Sequence, residues 1–143
     1  MRLTRGVDYG ARGAIYLAMQ PPGTIALISE IARQESVPES YLAKIFQNLS
    51  REGILQSHRG ARGGFSLARL PAEITLYEIV RAIDGPLALC PCLCESEGCD
   101  RIDTCGLYPF VCEAQKQLTG VLANTTLQAI AEKEKSLLAG LSG

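Results

Sequence analysis

Apolar side chains return every three or four residues along most of this chain, the period of helices packed on one face. The first run, Leu3–Met19, sets Val7, Ala11, Ala14, Ile15 and Ala18 on one side, with Thr4 placed to cap its start. Gln20–Gly23, with two prolines, ends it. A short helix is expected over Leu27–Gln34, with Leu27, Ile28 and Ile31 turned inward. Ser36 and Val37 then break the pattern, and Pro38 suits the first turn of the next helix. That helix, Pro38–Arg51, has the clearest stripe: Leu42, Ile45, Phe46 and Leu49 stand at i, i+3, i+4 and i+7. Gly53 closes it.

Beyond Gly53 the helical period stops. Ile54–Ser57 and Phe65–Ala68 read as two short strands, joined by the glycine- and arginine-rich link His58–Gly64. Helical spacing resumes over Thr75–Asp84, with Ile74, Leu76, Ile79, Val80 and Ile83 apolar, until Gly85 and Pro86 interrupt it. A cysteine-rich loop follows. A helix over Pro109–Asn124 then carries Val111, Leu118, Val121 and Leu122 on one side, a face able to pair with a partner chain, and a last helix covers Thr126–Leu138. The pattern predicts a mainly α fold with a small β wing: residues 1–84 as a winged helix-turn-helix, 85–108 as a cysteine loop, and 109–143 as a dimerisation helix with a C-terminal helix.

Composition narrows the class. With 143 residues, 47% hydrophobic and 20% charged, the chain is of ordinary globular make-up and too apolar for disorder. No uncharged apolar stretch reaches the ~18–20 residues of a membrane span. Met1–Gln20 carries Arg2, Arg5, Asp8 and Arg12 and lacks the apolar centre of a secretory signal, so a cytoplasmic location is expected. The net charge of −1 hides an asymmetry: residues 1–70 hold nine basic and five acidic side chains, whereas the remainder holds five basic and ten acidic. A basic front half suits a polyanion.

Two helices across a tight turn followed by a hairpin is the order of a winged helix-turn-helix, whose second helix fits the major groove. Ser40, Tyr41, Lys44, Gln47 and Asn48 lie opposite the apolar stripe and are the candidate base readers. Gln47 and Asn48 match adenine, and Lys44 suits guanine or phosphate. Arg59 and Arg62 at the hairpin tip could enter the minor groove. A plain solvated helix face is the competing explanation, and the basic wing immediately after the helix weighs against it. The lone histidine, His58, reads as a phosphate contact or an exposed side chain rather than a ligand.

All six cysteines lie between Cys90 and Cys112, as Cys90, Cys92, Cys94, Cys99, Cys105 and Cys112. Disulfide staples are usually spread over a fold, so clustering favours metal or thiol chemistry. Zinc prefers paired knuckles, and Cys94 with Cys99 satisfies that only loosely. Iron–sulfur clusters accept thiolates from irregular loops. Spacing alone leaves cluster and zinc equally open, with thiol redox sensing third.

Met1–Thr4 with Tyr9, Glu30–Ala32, Tyr41 with Leu42, Leu49 with Gly53, the wing string SHRGARGGFSLA over Ser57–Ala68, Ile74–Val80 and the cysteine loop form a further pattern. Together they resemble the IscR/NsrR/RirA family of bacterial winged-helix regulators over nearly the whole chain. The resemblance implies a homodimeric protein that binds double-stranded operator DNA, with a bound Fe–S cluster in some members. Cluster-binding members commonly show Cys-x5-Cys-x5-Cys. Cys99 and Cys105 match the second and third positions; the first falls on Leu93, between Cys92 and Cys94. Cys92 is taken as the first ligand, with Cys94 and Cys90 open. A histidine ligand used by some members falls here on Tyr108, which cannot serve. Nitric-oxide-sensing members instead use an aspartate on the first helix of the other subunit, and Asp8 stands at that position.

The resulting expectation is a transcription regulator, a repressor, controlled by a cluster on Cys92, Cys99, Cys105 and Asp8. A [4Fe–4S] form is favoured and [2Fe–2S] possible, with nitric oxide, iron, oxygen or cluster status as the signal. The alternative is a zinc-binding or thiol-based redox-sensing winged-helix regulator. A small Fe–S electron-transfer protein ranks lower, because it leaves the basic wing without a role. No Ser/His/Asp set, phosphate-cradling glycine loop or paired carboxylates at suggestive spacing argues for an enzyme.

Overall fold

The computed structural model describes residues 3–94 and 98–142. Met1 and Arg2, which carry part of the resemblance, and residues 95–97 of the cysteine loop lie outside the described residues. Six helices and one hairpin make up the described part: α1 (Arg5–Ala18), α2 (Ile28–Glu35), α3 (Glu39–Arg51), β1 (Leu55–His58), β2 (Gly64–Leu67), α4 (Leu76–Asp84), α5 (Tyr108–Asn124) and α6 (Leu127–Ser142). This is the mainly α fold with a β wing that the hydrophobic pattern predicts.

Thr4 starts α1 by accepting the Val7 N–H at 3.3 Å, as its cap position requires. The buried face of α1 includes the small residues Gly6, Gly10, Gly13 and Ala14, which let α3 and α4 come close. At Gly10 an added Cβ would lie 2.5 Å from Ile83 Cδ1 and 2.9 Å from Ile45 Cγ2, so only glycine fits between the two helices. Leu42, Ile45, Phe46 and Leu49 of α3 are buried as the stripe predicts, and join Ile31, Ile54, Leu55, Ile74 and Leu127 in the main core. Phe46 alone stabilises the fold by roughly 1.5–3 kcal/mol through burial. A second, smaller cluster joins Val7, Val80 and Leu122.

The turn from α2 to α3 depends on Ser36 in the left-handed region, φ 55°. Pro38 is the cap before α3 rather than its first residue. The start of α4 is fixed by a reciprocal capping box: the Glu78 N–H donates to the Thr75 hydroxyl at 3.2 Å, while the Thr75 N–H donates to Glu78 Oε2 at 2.9 Å. The wing strands are antiparallel, from Leu55 opposite Leu67 to His58 opposite Gly64. Ala26 extends this ladder, exchanging backbone hydrogen bonds with Phe65 at 3.0 and 2.8 Å.

Three expectations need correction. Leu27 is not inward but 53% exposed. Ala26 pairs with Phe65 in extended backbone, where neighbouring side chains point to opposite sides, so burying Ala26 turns Leu27 out. On α5, Leu118 and Leu122 pack against α4 of the same chain, whereas Val121 is 64% exposed. The i, i+3, i+4 stripe is therefore divided, with Leu118 and Leu122 spent on the chain's own core and Val121, at its edge, turned outward. His58 belongs to β1, half-buried, and is neither loop nor solvent-facing. Among the described residues, no helix is long and apolar enough to cross a membrane.

Candidate nucleic-acid interface and cysteine loop

Ser40, Tyr41, Lys44 and Gln47 emerge together on the exposed face of α3, because Leu42, Ile45, Phe46 and Leu49 commit the other face to the core. Asn48 is half-buried at the edge of this row. Tyr41 is braced from behind, its ring meeting that of Tyr9 edge-on with centroids 5.6 Å apart. It therefore ties α3 to α1.

Arg59 and Arg62 are both exposed in the link between the wing strands, and neither makes an ion pair among the described residues. The wing is stiffened at its base. His58 Nε2 and Ser66 Oγ stand 2.8 Å apart across the strands. Gly64 has φ 149°, and a Cβ there would collide with the Ala26 carbonyl. Two exposed guanidiniums on an anchored hairpin, together with the polar face of α3, make a cationic, hydrogen-bonding surface.

The cysteine loop starts immediately after α4. Its first residues are held by a side chain from α5: Gln115 accepts the Leu89 N–H at 2.8 Å and donates to the Leu87 carbonyl at 2.8 Å. Cys90 follows in extended backbone, and Pro91–Leu93 form one 3-10 turn. That turn brings Cys92 Sγ to 2.8 Å from Cys90 Sγ. The hydrogen bond with Cys90, then burial and the nearby Cys90 and Cys99, push the Cys92 thiol up to about 11. Cys105 is half-buried after a second 3-10 turn at Ile102–Thr104, and Cys112 is exposed on α5.

Asp8 is exposed on α1 and holds Arg12 through both carboxylate oxygens, at 3.0 and 3.2 Å. A surface pair of this kind is worth at most ~0.5 kcal/mol, so the carboxylate is readily surrendered to another partner. It sits at the rim of an open groove of about 770 Å³ lined by Val7, Ala11, Ile15, Leu76 and Ile130. Among the described residues, no three Cys, His, Asp or Glu side chains converge into a ready-made metal site. Cys90 and Cys92 are brought together, whereas Cys99 and Cys105 follow further along the loop and Asp8 lies on a different element.

Two relevant contacts carry no sequence signal. Gln115 acts across 26 residues. The Thr4 hydroxyl donates to the Asp84 carboxylate at 2.8 Å, joining the start of α1 to the end of α4, where the cysteine loop begins.

Residues 3–133 match the family model described as Rrf2, iron-dependent transcriptional regulator. A candidate HTH-type transcriptional regulator of Mycobacterium tuberculosis, Rv1287, is 36% identical over 88 residues, which are 62% of this chain and 55% of that protein. The chain thus spans about half the length of that curated relative. The solved structure of CymR, the global cysteine regulator of B. subtilis, superposes with TM-score 0.72 at 26% identity, covering 93% of this chain and 98% of that one. IscR of T. potens superposes with TM-score 0.75 over 94% of this chain and 88% of that one; at 24% identity it speaks for the fold alone. The family description and the names of the Rv1287 and CymR relatives are those of regulators. With a family match over residues 3–133 of its 143, this chain belongs to the Rrf2 family of transcriptional regulators.

Proposed function

We propose that this regulator is a homodimeric repressor whose operator affinity is set by an iron–sulfur cluster on Cys92, Cys99 and Cys105, completed by Asp8 of the other subunit. The observation that supports the reading is the anchoring of the thiol loop to α5 directly after α4, through the two hydrogen bonds of Gln115. The donor set is right for iron: soft thiolates with one hard carboxylate, and no histidine near. A bound [4Fe–4S] cluster would supply a centre that exchanges ligands with nitric oxide or oxygen.

The rest belongs to the chain. Ser40, Lys44, Gln47 and Asn48 read base edges from α3 and Tyr41 positions it, while Arg59 and Arg62 reach the backbone or minor groove from the wing. Residues 1–84 form the DNA-binding unit, 85–108 the cluster loop, and 109–143 the dimerisation segment. Thr4 links α1 to Asp84 at the mouth of the loop, and Tyr9 links α1 to Tyr41 on the reading helix. A change at the loop or at Asp8 therefore reaches α3 through two direct contacts. In a dimer whose reading helices must sit ~34–36 Å apart, a small shift of α1 alters affinity.

The experiment compares cluster-loaded and cluster-free protein on a duplex selected from random-sequence DNA. The wild type is expected to differ at least tenfold in affinity between the two states. Asp8→Ala should bring the ratio towards one with an unchanged circular dichroism spectrum. An undiminished ratio in Asp8→Ala contradicts the ligand role. The alternative, a zinc- or thiol-based regulator with the same reading head, is separated by metal content.

A further inference from the structure

Cys90 and Cys92 stand apart from the other thiols in how they are held. Pro91 restricts the residue before it to extended backbone, and Cys90 has φ −151° and ψ 162° accordingly. Pro91 itself opens the 3-10 turn, its own φ fixed by the ring. The turn is closed by Leu93 N–H to the Cys90 carbonyl at 3.0 Å and Cys94 N–H to the Pro91 carbonyl at 3.0 Å. Upstream, Gln115 fixes Leu87 and Leu89 to α5. Both ends of the Cys-Pro-Cys unit are therefore positioned by contacts outside the two thiols. Their sulfurs stand 2.8 Å apart, within ~1 Å of the ~2.05 Å bond of a disulfide. Two residues of chain span at most ~7 Å, so the Cα separation does not exceed the limit beyond which a bridge is impossible. Both side chains are half-buried, sheltered but reachable by a small molecule.

We propose that Cys90 and Cys92 form a dithiol oxidised by hydroperoxides, a modification site separate from Cys99 and Cys105, whose closure to a disulfide withdraws Cys92 from cluster binding. The chemistry balances with hydrogen peroxide as oxidant. Cys90 Sγ, as thiolate, attacks the O–O bond, giving a sulfenic acid and releasing hydroxide, which takes up a proton as water. The second sulfur displaces the sulfenic oxygen, which leaves as a second water while the S–S bond forms. Two thiols lose two electrons and two protons; one peroxide becomes two waters. The withdrawal of Cys92 rests on the cluster reading above, whereas disulfide formation does not.

The test uses the full-length, cluster-free, reduced protein, treated with one equivalent of hydrogen peroxide and counted for thiols by maleimide mass labelling. Of six thiols, four are expected to remain, with six restored by dithiothreitol. Cys112→Ser should fall from five to three, and Cys90→Ser should keep five. Tandem mass spectra of the wild-type tryptic peptide Ala82–Arg101 should place the bridge between Cys90 and Cys92, a readout that needs no variant. Six thiols retained by the wild type, two lost by Cys90→Ser, or a bridge elsewhere overturns the dithiol. Iron and sulfide are then offered to both forms. The oxidised wild type should take up less than a tenth of the iron of the reduced form, and peroxide-treated Cys90→Ser should load fully. Full loading of a protein bridged at Cys90–Cys92 overturns the withdrawal of Cys92. A reduced protein that takes up no iron counts against the cluster reading alone, and the thiol count then decides the dithiol by itself.

Discussion

Gln115 on α5 holds Leu89 at the mouth of the cysteine loop, accepting its N–H at 2.8 Å while donating to the Leu87 carbonyl at the same distance. One amide thus replaces two backbone partners that an irregular segment could not supply itself. It also makes the loop's starting point part of α5, the helix proposed to join the subunits. Replacing Gln115 with alanine removes both bonds and should lower stability by about 1–2 kcal/mol. Hydrogen exchange at Leu89 should rise with it, and urea unfolding measures the first effect. An unchanged exchange rate at Leu89 would contradict the clamp.

The α1–α3–α4 contact depends on the absence of a side chain. A methyl at Gly10 would overlap Ile83 and Ile45, both on helices held by the core. Gly10→Ala should therefore destabilise by roughly 1–3 kcal/mol, despite the better helix propensity of alanine. Thermal or urea unfolding decides it; a stabilised Gly10→Ala would mean that α1 does not sit this close to α4.

Glu78 titrates against two opposing influences. Burial pushes its carboxyl up, but the Thr75 N–H and the Arg69 guanidinium, 2.8 Å away, more than offset this and hold it below the ordinary value of 4.5. A depressed carboxyl stabilises the fold fully above its unfolded value and loses that contribution as pH falls through the folded one. Glu78→Gln should accordingly be less stable than wild type at pH 7, by under ~1 kcal/mol for so exposed a pair. The two unfolding curves should converge as pH drops below 4.5. A difference that persists undiminished in acid would assign the effect to packing.

At the wing, Arg59→Ala and Arg62→Ala should each weaken binding to all duplexes and reduce the salt slope by about one. Gln47→Ala should instead cost about 1–3 kcal/mol on the selected operator and little on random DNA. Fluorescence anisotropy over a salt series separates the two patterns. Identical slopes for all three variants would remove the division between wing and reading helix.

What the sequence could disclose followed the range of the interaction. The α3 stripe from Leu42 to Leu49 lies within two turns of helix, so its period identified both the buried face and the polar face opposite. Thr75 and Glu78 stand at the spacing of a capping box, a signal present in the string and matched by their reciprocal bonds. Long-range partners left no such trace. Leu122 reads like any other apolar residue of α5, and its contacts with Val7 and Val80 exist only once three helices are assembled. Gln115 is ordinary on a helix surface, and nothing near it in the chain announces Leu89. The candidate site divides the same way: Arg59, Arg62 and the α3 row are legible because they are local. Asp8 and the cysteines are proposed partners across subunits, a relationship that periodicity does not encode.

Whether the cysteine loop carries a cluster is measured most directly by iron and acid-labile sulfide per chain on protein purified without oxygen, with an absorption spectrum. About four of each, with a broad band near ~400 nm, is the expected result for three thiolates and a carboxylate on a [4Fe–4S] centre. About two of each would replace that nuclearity and reopen the ligand set. Zinc, or no metal in freshly isolated protein, would contradict the cluster and leave a winged-helix regulator governed by its thiols.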